Sequence, residues 1–380
     1  MTRDRREFLQ LGALAGFGAL DADGLADVPI RFEQEDGDGG TGCPGLDVRV
    51  TQEAGKTAHW VLPGRRRISE YVFGTPENPR TTGQHWINVA EGPVKKLLQE
   101  QTYQVGLPVE QRRTSEDGSE YTITDILTGY SDSAEQTDGM LDVKYMDRQP
   151  WDTPGEPGDT RDTAEVTARF TDPAGNEYEV MLDHIVKPPF PPWETGGGVV
   201  TGTWLHGVTG TGTPLMPRLF NYAALWGLGA LRVNGEVVDE GRVIHFMTTE
   251  NVRKADTYEL ALDEELPLGE DERFLGHPHH THLFMPPIKG TPEGPVASPL
   301  PTQYELENGE TQSFVHYMWD EDAIEEVVIR EAAGEETTPA ETTPTDADAE
   351  TTTAEPDETT PEAAETTTDA NATETEEADY

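Results

Sequence analysis

Imidazole is the commonest protein ligand for transition metals near neutral pH. One stretch of this chain concentrates it. Gly276-His277-Pro278-His279-His280-Thr281-His282-Leu283-Phe284-Met285 holds four of the ten histidines within six residues. Side chains alternate along a strand, so His280 and His282 share one face, with Phe284 next on it. His277 and His279 precede them around Pro278, whose fixed φ stiffens the approach. The stretch can supply two or three converging nitrogens to copper or zinc. Met285 adds a thioether, a soft donor that favours copper.

Further donors repeat this alternation. Val243, His245 and Met247 share one parity, and so do Phe314, His316 and Met318. His206, in Trp204-Leu205-His206-Gly207, ends a predicted strand beside a glycine. The expected metal site is therefore His280 and His282, joined by His277 or His279, with His206, His245 and Met285 as additional donors. For His184, His245 and His316 the ordinary alternative is a hydrogen-bonded core histidine, because their neighbours are apolar. Met247 and Met318 are equally ordinary core filler. No catalytic residue stands out. The chain has no Gly-x-Ser-x-Gly elbow, no phosphate loop and no His-Glu-x-x-His.

The segment His277-Pro278-His279-His280-Thr281-His282 resembles the His-Pro-x-His-x-His motif of multicopper oxidases, with His277, His280 and His282 at the matching positions. The resemblance covers six residues. Those enzymes also carry a late His-Cys-His segment, and the only cysteine here is Cys43. No blue-copper centre is expected. Cupins follow His-x-His with a glutamate, where this chain has Met285-Pro286-Pro287.

The elements that must position these side chains read almost entirely as strands. Short β-branched and aromatic runs alternate with Gly, Pro, Asn and Asp. Strands are expected over 46–51, 58–62, 69–73, 85–89, 121–127 and 141–146, with one short helix over 94–103. The second half offers strands over 163–171, 177–185, 199–208, 243–248, 258–262, 279–285, 303–306, 312–319 and 326–329. The apolar run 219–231 fits helix or strand. Asn234-Gly235 signals a tight hairpin, and Asn308-Gly309 a second one. The expected fold is all-β, a sandwich or barrel of many short antiparallel strands. The Pro- and Gly-rich segment 149–162 divides it into a β unit at 46–150 and a second at 151–330 that carries the histidines.

The two ends read differently. Arg5-Arg6-Glu7-Phe8-Leu9 and the weakly apolar run to Leu20 resemble a twin-arginine export signal over 1–24. That run is too short to span a bilayer. An acidic, Gly-rich linker follows over 25–45. Residues 331–380 hold 17 acids, 15 threonines and no Lys or Arg, and should be disordered. Thr with Pro suggests an O-glycosylated stalk, and Asn371-Ala372-Thr373 is an N-glycosylation acceptor.

Formal net charge is −46. Without the tail, the body still carries 56 acids against 27 bases, of which only 7 are lysine. Acid excess with few lysines resembles the secreted proteins of halophilic archaea. Such a surface excludes nucleic acid, which needs a basic face. The expectation is an exported protein, secreted or held at the cell surface, with no stable membrane span after signal removal. It would bind copper or zinc in a binding or redox role. The alternatives are a metal-free adhesive surface protein and an extracellular hydrolase.

Overall fold

Every regular element is a strand in the computed structural model, which describes residues 30–34, 45–64, 66–67, 129–148, 160–187, 198–206, 217–262, 278–291 and 294–331. The strands expected at 69–73, 85–89 and 121–127, the helix at 94–103, the export signal, Cys43, His277 and the tail lie outside these residues. Among the described residues, no helix is long and apolar enough to cross a membrane.

In chain order the strands are β1 (Ile30–Gln34), β2 (Gly45–Gln52), β3 (Thr57–Val61), β4 (Ala134–Asp147), β5 (Thr163–Thr171), β6 (Glu177–Ile185), β7 (Val199–Leu205), β8 (Leu219–Val233), β9 (Glu236–Glu250), β10 (His279–Met285), β11 (Ile288–Thr291), β12 (Gly294–Ala297), β13 (Val315–Trp319) and β14 (Ala323–Glu331). They form one sheet whose main path runs β1-β14-β2-β4-β3-β13-β10-β9-β8-β6-β5, with β7 beside β8, β11 beside β9 and β12 beside β11, and β5 also pairs with β4. That last pairing closes the eight strands β4-β3-β13-β10-β9-β8-β6-β5 into an antiparallel barrel. Closure removes the free edges that an open sheet would present. β4 makes it possible by being long. Its first half pairs with β3 and its second half with β2, while its other edge pairs with β5. β2, β14 and β1 thus form a spur off the barrel, and β1–β14 is a parallel pair.

The barrel interior is aromatic. Trp60, Phe170, Tyr178, Phe246, Tyr317 and Trp319 are buried there with Leu283 and Met285. Phe170 stacks on Tyr178 and Tyr317 at 5.4 and 4.4 Å between ring centroids, and Trp319 meets Tyr317 edge-on at 4.8 Å. Each such pair adds about 0.5–1.5 kcal/mol beyond the area it buries. The strands that supply the core come from both halves of the sequence, because β3 pairs with β13 and β2 with β14.

Several expectations hold closely. β5, β6 and β10 have the expected bounds, and the ambiguous run 219–231 is strand β8. Asn234 and Gly235 have φ of 49° and 85°, the left-handed pair that a two-residue hairpin turn requires. The flanking strands are much longer than the turn alone suggested.

Other segments differ. Residues 258–262 form a loop with a single bridge, Arg253 to Leu260. Asn308-Gly309 does make a turn, but a single bridge, Glu305 to Thr311, stands where a hairpin was expected. β1 falls within the segment read as linker. His184, expected among apolar neighbours, is solvent-facing: its side chain is 54% exposed beside Asp183. A bulge between Leu182 and His184 shifts the register of β6 against β8 and turns His184 outward.

Candidate metal centre

β10 lies between β9 and β13, and its register decides which side chains meet. His282 is paired with Met247 on one side and Met318 on the other. Phe284 is paired with His245 and His316. His280 lies opposite Thr249. Paired residues share a face, so His280, His282, His245, Met247, His316 and Met318 all project from the same side of three adjacent strands. That side is opposite the aromatic interior, to which Leu283, Phe246 and Tyr317 belong. Two neighbours extend the row: Trp226 of β8 opposite His245, and His59 of β3 opposite Met318.

His206 completes the group from the end of β7. It adopts φ of 63°, a left-handed conformation uncommon for a side-chain-bearing residue. The turn brings its Nε2 to 3.5 Å from Met247 Sδ. Local strain of this kind concentrates at functional positions.

Five imidazoles are thereby buried together: His206, His245, His280, His282 and His316. His282 Nδ1 is 3.2 Å from His316 Nε2. The His282 ring centroid lies 5.4 Å from that of His316, 6.2 Å from His280 and 6.3 Å from His245. Two donors on one tetrahedral metal, with bonds of about 2.0–2.1 Å, stand about 3.3 Å apart. The His282–His316 pair already has that separation. Among the described residues, no three His, Cys, Asp or Glu side chains are placed so that they could hold a metal ion as they stand. Rotation of the His280 ring about its side-chain bonds is what would bring a further nitrogen onto the pair.

Backbone carbonyls set the tautomers. His316 Nδ1 donates to Gly129 O at 2.8 Å, and His245 Nδ1 donates to Leu225 O at 2.7 Å. Each ring therefore presents a bare Nε2. This is the outer arrangement by which metal-binding histidines are usually oriented. Trp226 stacks on His245 at 3.8 Å and 11°, and Tyr130 meets His316 edge-on at 5.4 Å, so the rings are held in place.

Burial holds four of these rings neutral. Burial drives His206 and His316 down to about 3 and His245 down to about 4. His282 falls well below its ordinary value, through burial first and then through the neighbouring imidazoles. Neutral imidazole is the form that binds metal. Around them, Asp320 is held at about 2 against the cost of burial, by His280 and by His59, whose Nδ1 lies 2.6 Å from its Oδ2. Tyr258 donates its hydroxyl to the same carboxylate. Arg253 lies close enough to His316 to lower it further.

Nε2 of His280 and Nε2 of His282 are buried with no hydrogen-bond partner, and Nδ1 of His280 has only the Asp320 carboxylate at 3.7 Å. An unsatisfied buried polar atom costs about 1–3 kcal/mol. No family model, curated protein or solved structure matches the chain.

The sequence-derived donors separate cleanly on this frame. His280, His282, His245 and His206 come together. His279 and Met285 lie on the opposite face of β10: Met285 is in the aromatic core, and His279 faces Asp322. His316 and Met247 join the group, as do Asp320 and His59 at its edge. The signal for His316 and Met247 was their shared parity on their own strands. What the sequence did not carry was that β9, β10 and β13 are neighbours in this register.

Proposed function

We propose that this chain is an exported metalloprotein holding copper at the histidine cluster. His282 and His316 would form the seed pair, His280 and His245 would complete the set, and Met247 with His206 would flank it. The observation that supports the reading most directly is the set of unpartnered nitrogens on His280 and His282, buried beside a neutral pair already at ligand spacing. An ion on that pair would take up one nitrogen of His280 as well.

Copper is preferred over zinc for two reasons. A thioether beside imidazoles is a soft donor set. The imidazole and thioether donors also bring no negative charge of their own, which favours a monovalent ion over a divalent one. Copper(I) fits that balance. The role is copper binding or one-electron redox chemistry outside the cytoplasm, as the twin-arginine-like start and the acidic composition suggest.

The direct test is elemental analysis of the untagged chain, purified in molar KCl and reloaded with copper(I) or zinc. About one equivalent of copper per chain, lost in a His280→Gln/His282→Gln variant that keeps its near-ultraviolet circular dichroism, is the expected result. No retained metal after reloading with either ion, or full retention in the double variant, would sink the proposal.

A further inference from the structure

The face of β10 that points into the barrel carries a different set of groups. His279 ends this face and is paired in register with Glu250 of β9. Its Nε2 lies 3.5 Å from Oδ1 of Asp322, which immediately precedes β14. The Asp322 side chain is fully buried, and Oδ1 has no hydrogen-bond partner. Its other oxygen accepts from the Thr281 hydroxyl at 2.6 Å. Glu250 is also buried, with Oε1 accepting from the Phe220 amide at 2.6 Å. Tyr222 binds the group together: its ring meets His279 edge-on at 5.9 Å, and both carboxylates push its hydroxyl upward after burial does.

Asp322 and His279 therefore meet at one end of the barrel, with Glu250 opposite His279 in the register. Buried carboxylates are ordinarily paired with a base or bound to a metal. The ion-pair partner of Asp322 here is an imidazole beyond hydrogen-bond reach, and Oδ1 remains open towards it. The separation of 3.5 Å is close to the spacing of two donors on one metal, about 3.3 Å. His279 is 16% exposed, which leaves a way in from solvent.

We infer that His279, Asp322 and Glu250 form a second cation site, separate from the histidine cluster, that takes a divalent ion preferring oxygen donors, of the manganese(II) class. The two sites lie back to back across the β10 backbone. Their donors differ in kind: neutral nitrogen and sulfur on the outer face, carboxylate oxygen with one nitrogen on the inner face. By donor preference the outer site selects copper and the inner one a harder ion.

Manganese(II) titration of the full chain in molar KCl, followed by electron paramagnetic resonance, separates the two sites. One saturable manganese per chain is expected. Asp322→Asn and Glu250→Gln should each weaken it at least about tenfold, while His282→Gln leaves it unchanged and loses copper instead. Absence of saturable manganese in the wild type, or binding that survives both folded carboxylate variants, overturns the inference. So does loss of manganese in His282→Gln. Should Asp322→Asn not fold, as judged by circular dichroism, Glu250→Gln alone decides. The copper proposal stands or falls separately on the His282 result.

Discussion

His206, His245, His282 and His316 fold into surroundings that hold them uncharged, and this links the fold to pH. Their ordinary pKa is about 6.5, and burial lowers all four, to about 3 for His206 and His316 and about 4 for His245. Between the folded and unfolded values the unfolded chain binds more protons, so stability rises with pH through that window. Metal-free protein should therefore lose stability steadily as pH falls from about 6.5 towards about 4. The slope is about 1.4 kcal/mol per pH unit for each histidine involved. Denaturant unfolding at fixed KCl measures it, and His282→Gln should flatten the slope. Copper should be released lower, as pH falls through about 4 to 3, where protons compete for the same nitrogens in the folded chain. Asp320 acts in the opposite sense and lower down. Its carboxylate is held at about 2, so its contribution is present above about 4 and is lost only as pH falls towards 2.

At the scale of elements, loop backbone holds part of the site. Gly129 accepts from His316 Nδ1, and an added Cβ there would come within 3.1 Å of the Phe314 ring. Gly129→Ala should displace that carbonyl and lower copper affinity about tenfold, measured by competition with a copper(I) chelator, in a protein that still folds. Gly229 is a contrasting case within β8. A Cβ there would collide with the Met181 carbonyl of β6, so Gly229→Ala should cost about 2 kcal/mol or more in thermal unfolding without selective loss of metal. Elements were also where the sequence was partly legible. The parity of His280 with His282 and of His245 with Met247 follows from alternation alone, and the Asn234-Gly235 turn from its φ demands. That His316 would face His282 depends on β13 pairing with β10. Nothing within either strand states that pairing. His279 and Met285 share the cluster's stretch of sequence but have the opposite parity. Proximity in the chain grouped them with His280 and His282, and alternation sends them to the other face. The bulge in β6 hid the outward turn of His184, because one inserted residue reverses every parity after it.

For the whole molecule, charge and topology set the conditions of folding. The excess of acids over bases makes the compact state repel itself, and salt relieves this as the Debye length falls to about 3 Å near 1 M. The unfolding midpoint should therefore rise steeply between low salt and molar KCl, as read by thermal melts across a KCl series. The arrangement of strands adds a separate constraint. β2 and β3 come early in the chain but pair with β14 and β13 near the end of the described residues, and Trp60 bonds Gln312 across 252 positions. Closing a loop of that length costs about 5 kcal/mol before any of those contacts form. Folding should be slow and should wait for late synthesis, since the β4–β5–β6–β8–β9–β10 run can assemble first but cannot become a ring. A chain that stops before β13 should remain sensitive to protease, even though it contains most of the histidines. Anything that must accompany this polypeptide while it is being made has to protect an unfinished hydrophobic sheet until its last two strands arrive.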